Sequence, residues 1–118
     1  MRDHKRLRAF EQADRLVRMI YRATAAFPKA EQFGLTSQIR RAAVSIATNI
    51  VEGCARSTET EYLRFLDIAY GSSKELEYQI GLSESLGLLD KRIACEIKHE
   101  CAVTAKLLCR LIIALRAT

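Results

Sequence analysis

Four arginines, Arg8, Arg15, Arg18 and Arg22, recur at intervals of three, four and seven residues. On an α-helix that spacing gathers them into one row along one face. A guanidinium carries a permanent charge and a planar fork of donors that matches phosphate oxygens. A row of them can follow a nucleic-acid backbone, gripping charge rather than base identity. Arg2, Lys5 and Arg6 extend the charge toward the N-terminus, and Glu11 interrupts the row. Arg41 is a weaker candidate for the same contact. No aromatic residues interleave with the row in a way that suits base stacking. Binding to RNA or DNA through it is therefore expected to be electrostatic and weakly sequence-specific. The plainer alternative is a solvated helix face that carries ordinary solubility charge.

Other chemistry is thinly represented. Cys95 and His99 stand four apart and could face one metal ion, but a structural zinc site needs about four ligands. Glu96 and His99 form one Glu-x-x-His pair; a di-iron bundle needs a second pair on a facing helix, and His4 has methionine at that spacing. The glycines are scattered rather than gathered into a phosphate-binding loop, and neither G-x-S-x-G nor H-E-x-x-H occurs. Glu59 with Glu61, and Glu75 with Glu77, are two apart and point to different sides of a helix. The expectation is a non-enzymatic protein with no metal site, no cofactor and no catalytic residue.

The charge balance agrees with an anionic partner for one half of the chain. Residues 1–56 carry 11 Lys and Arg against 5 Asp and Glu, whereas residues 57–118 carry 8 against 9. A basic half attracts nucleic acid, acidic protein or anionic lipid. The four cysteines, Cys54, Cys95, Cys101 and Cys109, form no C-x-x-C pair and lie within helical patterns. They read as reduced thiols filling core positions in the cytoplasm. The opening MRDHKRLR is not followed by the apolar stretch of a secretory leader. The most apolar run, LLCRLIIAL from Leu107 to Leu115, is broken by Arg110 and too short to span a bilayer. No membrane partner is expected.

The elements that must position these residues are helices. One proline and five glycines in 118 residues leave room for long helices and one domain over 1–118. The first helix is expected from about Lys5 to Phe27, with Phe10, Ala13, Val17, Ile20, Thr24 and Phe27 inward, and Pro28 ending it. The second begins near Thr36 or Ser37, either able to cap it, and ends between Gly53 and Arg56. Thr58 and Glu61 make a T-x-x-E capping box for the third, which runs to about Leu86 with Gly87 as its stop. Its inward face is Tyr62, Leu66, Ala69, Ser73, Leu76, Ile80 and Ser83; Gly71 and Gly81 mark either close packing or a bend. Asp90 caps the fourth, which reaches about Ala117 with Ile93, Ile97, Cys101, Thr104, Leu108, Leu111 and Leu115 inward. Short connections make neighbouring helices antiparallel. The predicted fold is all-α, an up-down-up-down four-helix bundle.

The second helix has more apolar surface than one core requires. Ile39, Ala43, Ile46, Ile50 and Cys54 form the core band. Gln38, Arg41, Ser45, Asn49, Glu52 and Arg56 form a polar stripe, with Glu52 and Arg56 at pairing distance along the helix. Asn49 could be a surface group, a brace for the following loop or an interface donor. Val44, Thr48, Val51 and Ala55 form a third band, and small Ala42, Ala43, Ala47 and Ala55 permit close approach of other helices. A run of apolar residues at helical spacing outside the core points to a second copy of the chain. The alternative is a single thick core with a wide apolar face.

The stretch SQIRRAAVSIATNIVEGCAR, followed by EYLRFLDIAYGSSKELEYQIGLSESLGLL, resembles the bacterial four-helix-bundle family named for intervening sequences in large ribosomal RNA genes. It is also similar to the accessory proteins of diversity-generating retroelements. Asn49, Ile50, Glu52 and Gly53, and the segment from Arg64 to Glu77, carry most of the resemblance, which runs from Ala9 onward. The resemblance implies a small cytosolic bundle assembling into a ring-like homopentamer. In the retroelement relatives it implies binding of a reverse transcriptase and nucleic acid through a basic surface. It brings no catalytic residue with it. The leading expectation is a homo-oligomeric scaffold for nucleic acid or a ribonucleoprotein. The alternative is a protein-interaction scaffold with no nucleic-acid role.

Overall fold

The computed structural model describes residues 2–118. Four helices make up the architecture: α1 Arg8–Thr24, α2 Leu35–Cys54, α3 Glu59–Ser85 and α4 Lys91–Arg116. Single 3-10 turns at His4–Arg6 and Lys29–Glu31 precede α1 and α2, and no strand occurs among the described residues. The helices pack in a cycle, α1 on α2, α2 on α3, α3 on α4 and α4 on α1, with no diagonal packing. The body measures 45 × 23 × 19 Å. Its long axis is set by the 26 and 27 residues of α4 and α3.

The ends of the helices follow local chemistry. Thr58 accepts the Glu61 N–H at 3.2 Å and Asp90 accepts the Ile93 N–H at 2.8 Å, so both expected caps form. Glu61 does not close the capping box; its carboxylate takes Arg64 instead, at 3.1 Å. Gly87 adopts φ +78, and the Leu88 N–H donates to the Ser83 carbonyl at 2.9 Å, closing α3 as a left-handed cap.

The start of α2 differs from expectation. Neither Thr36 nor Ser37 caps it, because both lie inside the helix. Glu31, on the preceding 3-10 turn, reaches over to accept the Leu35 N–H at 3.1 Å. The first helix is also shorter than Lys5–Phe27. Asp3 caps the separate turn His4–Arg6 by accepting the Lys5 N–H at 3.1 Å, and extended Leu7 divides that turn from α1.

The core bands of α2 and α3 are buried as expected. In α1 the inward line is Ala9, Ala13, Leu16, Ile20 and Thr24, while Phe10 and Val17 sit at its margin. The shift follows from what α1 meets on each side. Gln12 turns inward and donates to the Glu100 side chain at 2.8 Å and to its carbonyl at 3.3 Å, tying α1 to α4. On the other side Arg40 donates from Nε to the Thr24 hydroxyl at 2.9 Å, tying α1 to α2. In α4 the small Ala94 and Ala105 and the branched Ile112 turn inward, and Ile93, Leu111 and Leu115 are half-buried.

At Gly53, α3 packs tightly against the α2 backbone. A Cβ there would stand 3.1 Å from Phe65 Cβ and 3.1 Å from Tyr62 Cδ1. Gly71 has nothing within 4 Å of such a Cβ, and Gly81 only the flexible end of Lys98 at 3.7 Å. Neither supports close packing within the bundle.

Candidate nucleic-acid interface and the outer faces of the bundle

Arg8, Arg15, Arg18 and Arg22 all stand exposed along α1, opposite its buried line. The row is therefore continuous on the surface, but its charge is diluted. Asp14 pairs with Arg18 at 3.3 Å. Arg15 shares an open groove of about 550 Å³ with Glu96 and Glu100 of α4. Glu96 itself pairs with Arg92 at 3.2 Å. Arg8, Arg15 and Arg22 make no ion pair among the described residues.

Arg41 does not join this row. It lies on the outer side of α2, exposed, between two grooves that α2 makes with its neighbours. One of these, about 340 Å³, places Arg41 with Gln38, Ser45 and the Glu75 carboxylate of α3. The other, about 610 Å³, lies between α2, the end of α1 and the connection before α2. Phe33 at its rim is 90% exposed.

The third band of α2 faces solvent in the single chain: Thr48 and Ala55 are exposed, Val44 and Val51 half-buried. The neighbouring polar stripe is mostly occupied with itself. Asn49 donates to the Ser45 carbonyl at 2.8 Å, Ser45 bonds Ser72 of α3 at 2.9 Å, and Arg56 pairs with Glu52 at 2.7 Å. Asn49 is thus a brace within its own helix, and Ser45 and Ser72 hold α2 to α3.

A second cationic cluster gathers at the end of the bundle where α2 passes into α3. Arg56 and Arg64 lie 4.8 and 4.6 Å from the Phe65 ring centre, and Arg2 lies 4.1 Å from that of Tyr62. Stacking fixes these guanidinium groups on aromatic faces. Arg56, Tyr62, Arg64 and Phe65 are close in the chain, but Arg2 joins them only through the fold.

The two buried thiols offer little reactivity. Burial pushes Cys101 up to about 12. Burial also raises Cys54, only partly offset by a hydrogen bond with Tyr62. Both act as small core residues, whereas Cys95 is exposed rather than inward. Cys95 and His99 share the groove beside Arg15, but no group of three or more metal-ligating side chains is assembled among the described residues. No helix of the described residues is long and apolar enough to cross a membrane.

No curated protein matches. A solved structure from Bacteroides thetaiotaomicron VPI-5482, a protein with unknown function from the S23 ribosomal protein family, superposes with a TM-score of 0.80. The two share 22% identity, over 88% of this chain and 94% of that one. At that identity the likeness speaks for the four-helix fold. Residues 5–110 match the family described as 23S rRNA-intervening sequence protein. That match takes in all of α1, α2 and α3 and most of α4, and the chain belongs to this family.

Proposed function

We propose that the protein is a non-enzymatic, cytoplasmic helical scaffold that assembles with further copies of itself and holds nucleic acid through the outer face of α1. The observation that carries the reading is the exposed row Arg8, Arg15, Arg18 and Arg22 on one rigid helix. Repeated in an assembly, such a row turns weak contacts into avid ones. The outer band Val44, Thr48, Val51 and Ala55, part exposed and part half-buried, supports self-association, and the resemblance to ring-forming relatives supports a pentamer. Four unpaired cysteines fit a reducing compartment. The family takes its name from 23S rRNA, which makes structured RNA the first ligand to try.

The test is titration of the full chain against labelled structured RNA and duplex DNA across a salt series. Phosphate contacts predict affinity that falls steeply as salt rises. Arg15 and Arg22 are the better pair to reverse, because Arg18 is held by Asp14. Arg15→Glu with Arg22→Glu should weaken binding and reduce the salt dependence, with helicity retained. Equal affinity in that variant removes the row from the site.

A second reading is favoured by the carboxylates beside Arg15. With Glu96 and Glu100 on the flank, the α1–α4 face is of mixed charge and could suit a protein surface. In that case the assembly presents docking sites to a protein, with no nucleic-acid role. A reverse transcriptase is the partner to try first, on the resemblance to retroelement accessory proteins.

A further inference from the structure

The groove between α2, the end of α1 and the connection before α2 is built differently from the α1 row. Its walls hold two adjacent arginines and no carboxylate. Arg40 is fixed in place: Nε donates to the Thr24 hydroxyl at 2.9 Å, and the guanidinium lies 4.5 Å from the Tyr21 ring centre. Its Nη1 has no protein hydrogen bond among the described residues. Arg41, exposed on the same wall, makes no ion pair among the described residues. Thr36 also lines the groove; it is 8% exposed, and its hydroxyl is buried without any partner. A buried hydroxyl left unpaired is unfavourable, and a ligand oxygen that reached it would relieve it. Phe33 presents its ring at the rim, almost wholly exposed.

We infer that this groove binds an anion joined to a planar aromatic group, of the size and kind of a single nucleotide. The phosphate sits against Arg40 and Arg41, an oxygen of the ligand takes the Thr36 hydroxyl, and the base stacks on Phe33. A volume of about 610 Å³ falls within the usual span of small-ligand sites, roughly 300–1,000 Å³. The site does not rest on the α1 row, none of whose four arginines lines the groove. A free mononucleotide and an unpaired nucleotide of an RNA strand present the same chemistry.

The experiment is calorimetric titration of the full chain with three probes: AMP, inorganic phosphate and a single-stranded octauridylate. AMP or the octauridylate should bind more tightly than phosphate. Binding of AMP identifies a free nucleotide as sufficient; binding of the octauridylate alone identifies a strand. Arg41→Gln should weaken the bound probe by about tenfold, the loss of one charged hydrogen bond. Phe33→Ala should weaken it by roughly fivefold or more through lost stacking, while leaving phosphate unaffected. Thr36→Val should weaken it with melting temperature equal or higher, a combination that a merely structural threonine would not give. Absence of binding by both AMP and the octauridylate overturns the inference. So does binding that is unchanged in both Arg41→Gln and Phe33→Ala. If those two variants alter only the oligomeric mass, the groove is a contact between copies and the inference falls. Reversal of Arg8 and Arg15 should leave AMP binding intact, so the two sites fail independently.

Discussion

The guanidinium of Arg2 lies 4.1 Å from the centre of the Tyr62 ring, on the first turn of α3. The same residue's backbone N–H donates to the Cys54 carbonyl at 2.9 Å, satisfying one of the carbonyls left open at the end of α2. The N-terminal segment is thereby fastened across the α2–α3 junction. Arg2→Ala should lower stability by about 0.5–1 kcal/mol, the worth of an exposed cation–π contact, measured by urea denaturation. No change would mean that the backbone hydrogen bond alone holds the segment.

Tyr62 also sets an alkaline limit. Burial pushes its phenol up to about 12, with the neighbouring Cys54 adding to the shift. Between pH 10 and 12 the unfolded chain releases this proton while the folded chain keeps it. The native state then binds more protons, so stability falls as pH rises. Cys101, also raised to about 12, acts in the same direction from pH 9 upward. Stability should therefore hold up to about pH 9 and fall thereafter. Denaturation midpoints at pH 8, 9, 10 and 11 test this, and Tyr62→Phe should flatten the decline above pH 10. An equal slope in that variant would assign the decline to other groups.

Gly53 and Gly71 should respond oppositely to alanine. At Gly53 the new methyl meets Phe65 Cβ and Tyr62 Cδ1 at 3.1 Å and the Tyr62 carbonyl at 3.3 Å. These atoms belong to the α3 backbone or lie close to it and cannot swing aside. Gly53→Ala should cost about 1–3 kcal/mol. At Gly71 the methyl enters open space, and Gly71→Ala should add about 1 kcal/mol through helix propensity. A loss at Gly71 instead would show that another copy approaches α3 there.

Glu31 should matter more to α2 than the residues at its apparent start. Glu31→Ala removes the only side-chain acceptor on the Leu35 N–H among the described residues and should cost about 1 kcal/mol. Ser37→Ala, which removes no cap, should stay within about 0.5 kcal/mol. The reverse ranking in melting temperature would restore Ser37 as the cap.

Self-association through α2 predicts a light-scattering mass well above 13.3 kDa at micromolar concentration. Val44→Glu with Val51→Glu should return the chain to that mass with helicity intact, since a charge in a closed apolar contact is costly to desolvate. A wild-type monomer would end the scaffold reading in its assembled form.

The sequence by itself determined which segments are helical and, for α2 and α3, which face turns inward. Ile39, Ala43, Ile46 and Ile50 repeat at helical spacing and carry the largest apolar side chains of α2, and Thr58, Asp90 and Gly87 are local signals whose effect spans only a few residues. The exposure of the α1 arginines was legible for the same reason, because charge and periodicity agree there. Only the tertiary structure decided the rest. The inward line of α1 depended on Gln12 finding Glu100 on α4 and on Arg40 finding Thr24, pairings that no local periodicity encodes. The cap of α2 came from Glu31 because a 3-10 turn folds back on the helix start. The short connection from Pro28 to Gly34 carries Phe33 to the rim of a groove whose other walls include Tyr21, Thr36 and Arg40. A groove is a relation between elements. Each residue's type was visible in the chain, but its neighbours existed only once α1 and α2 had packed.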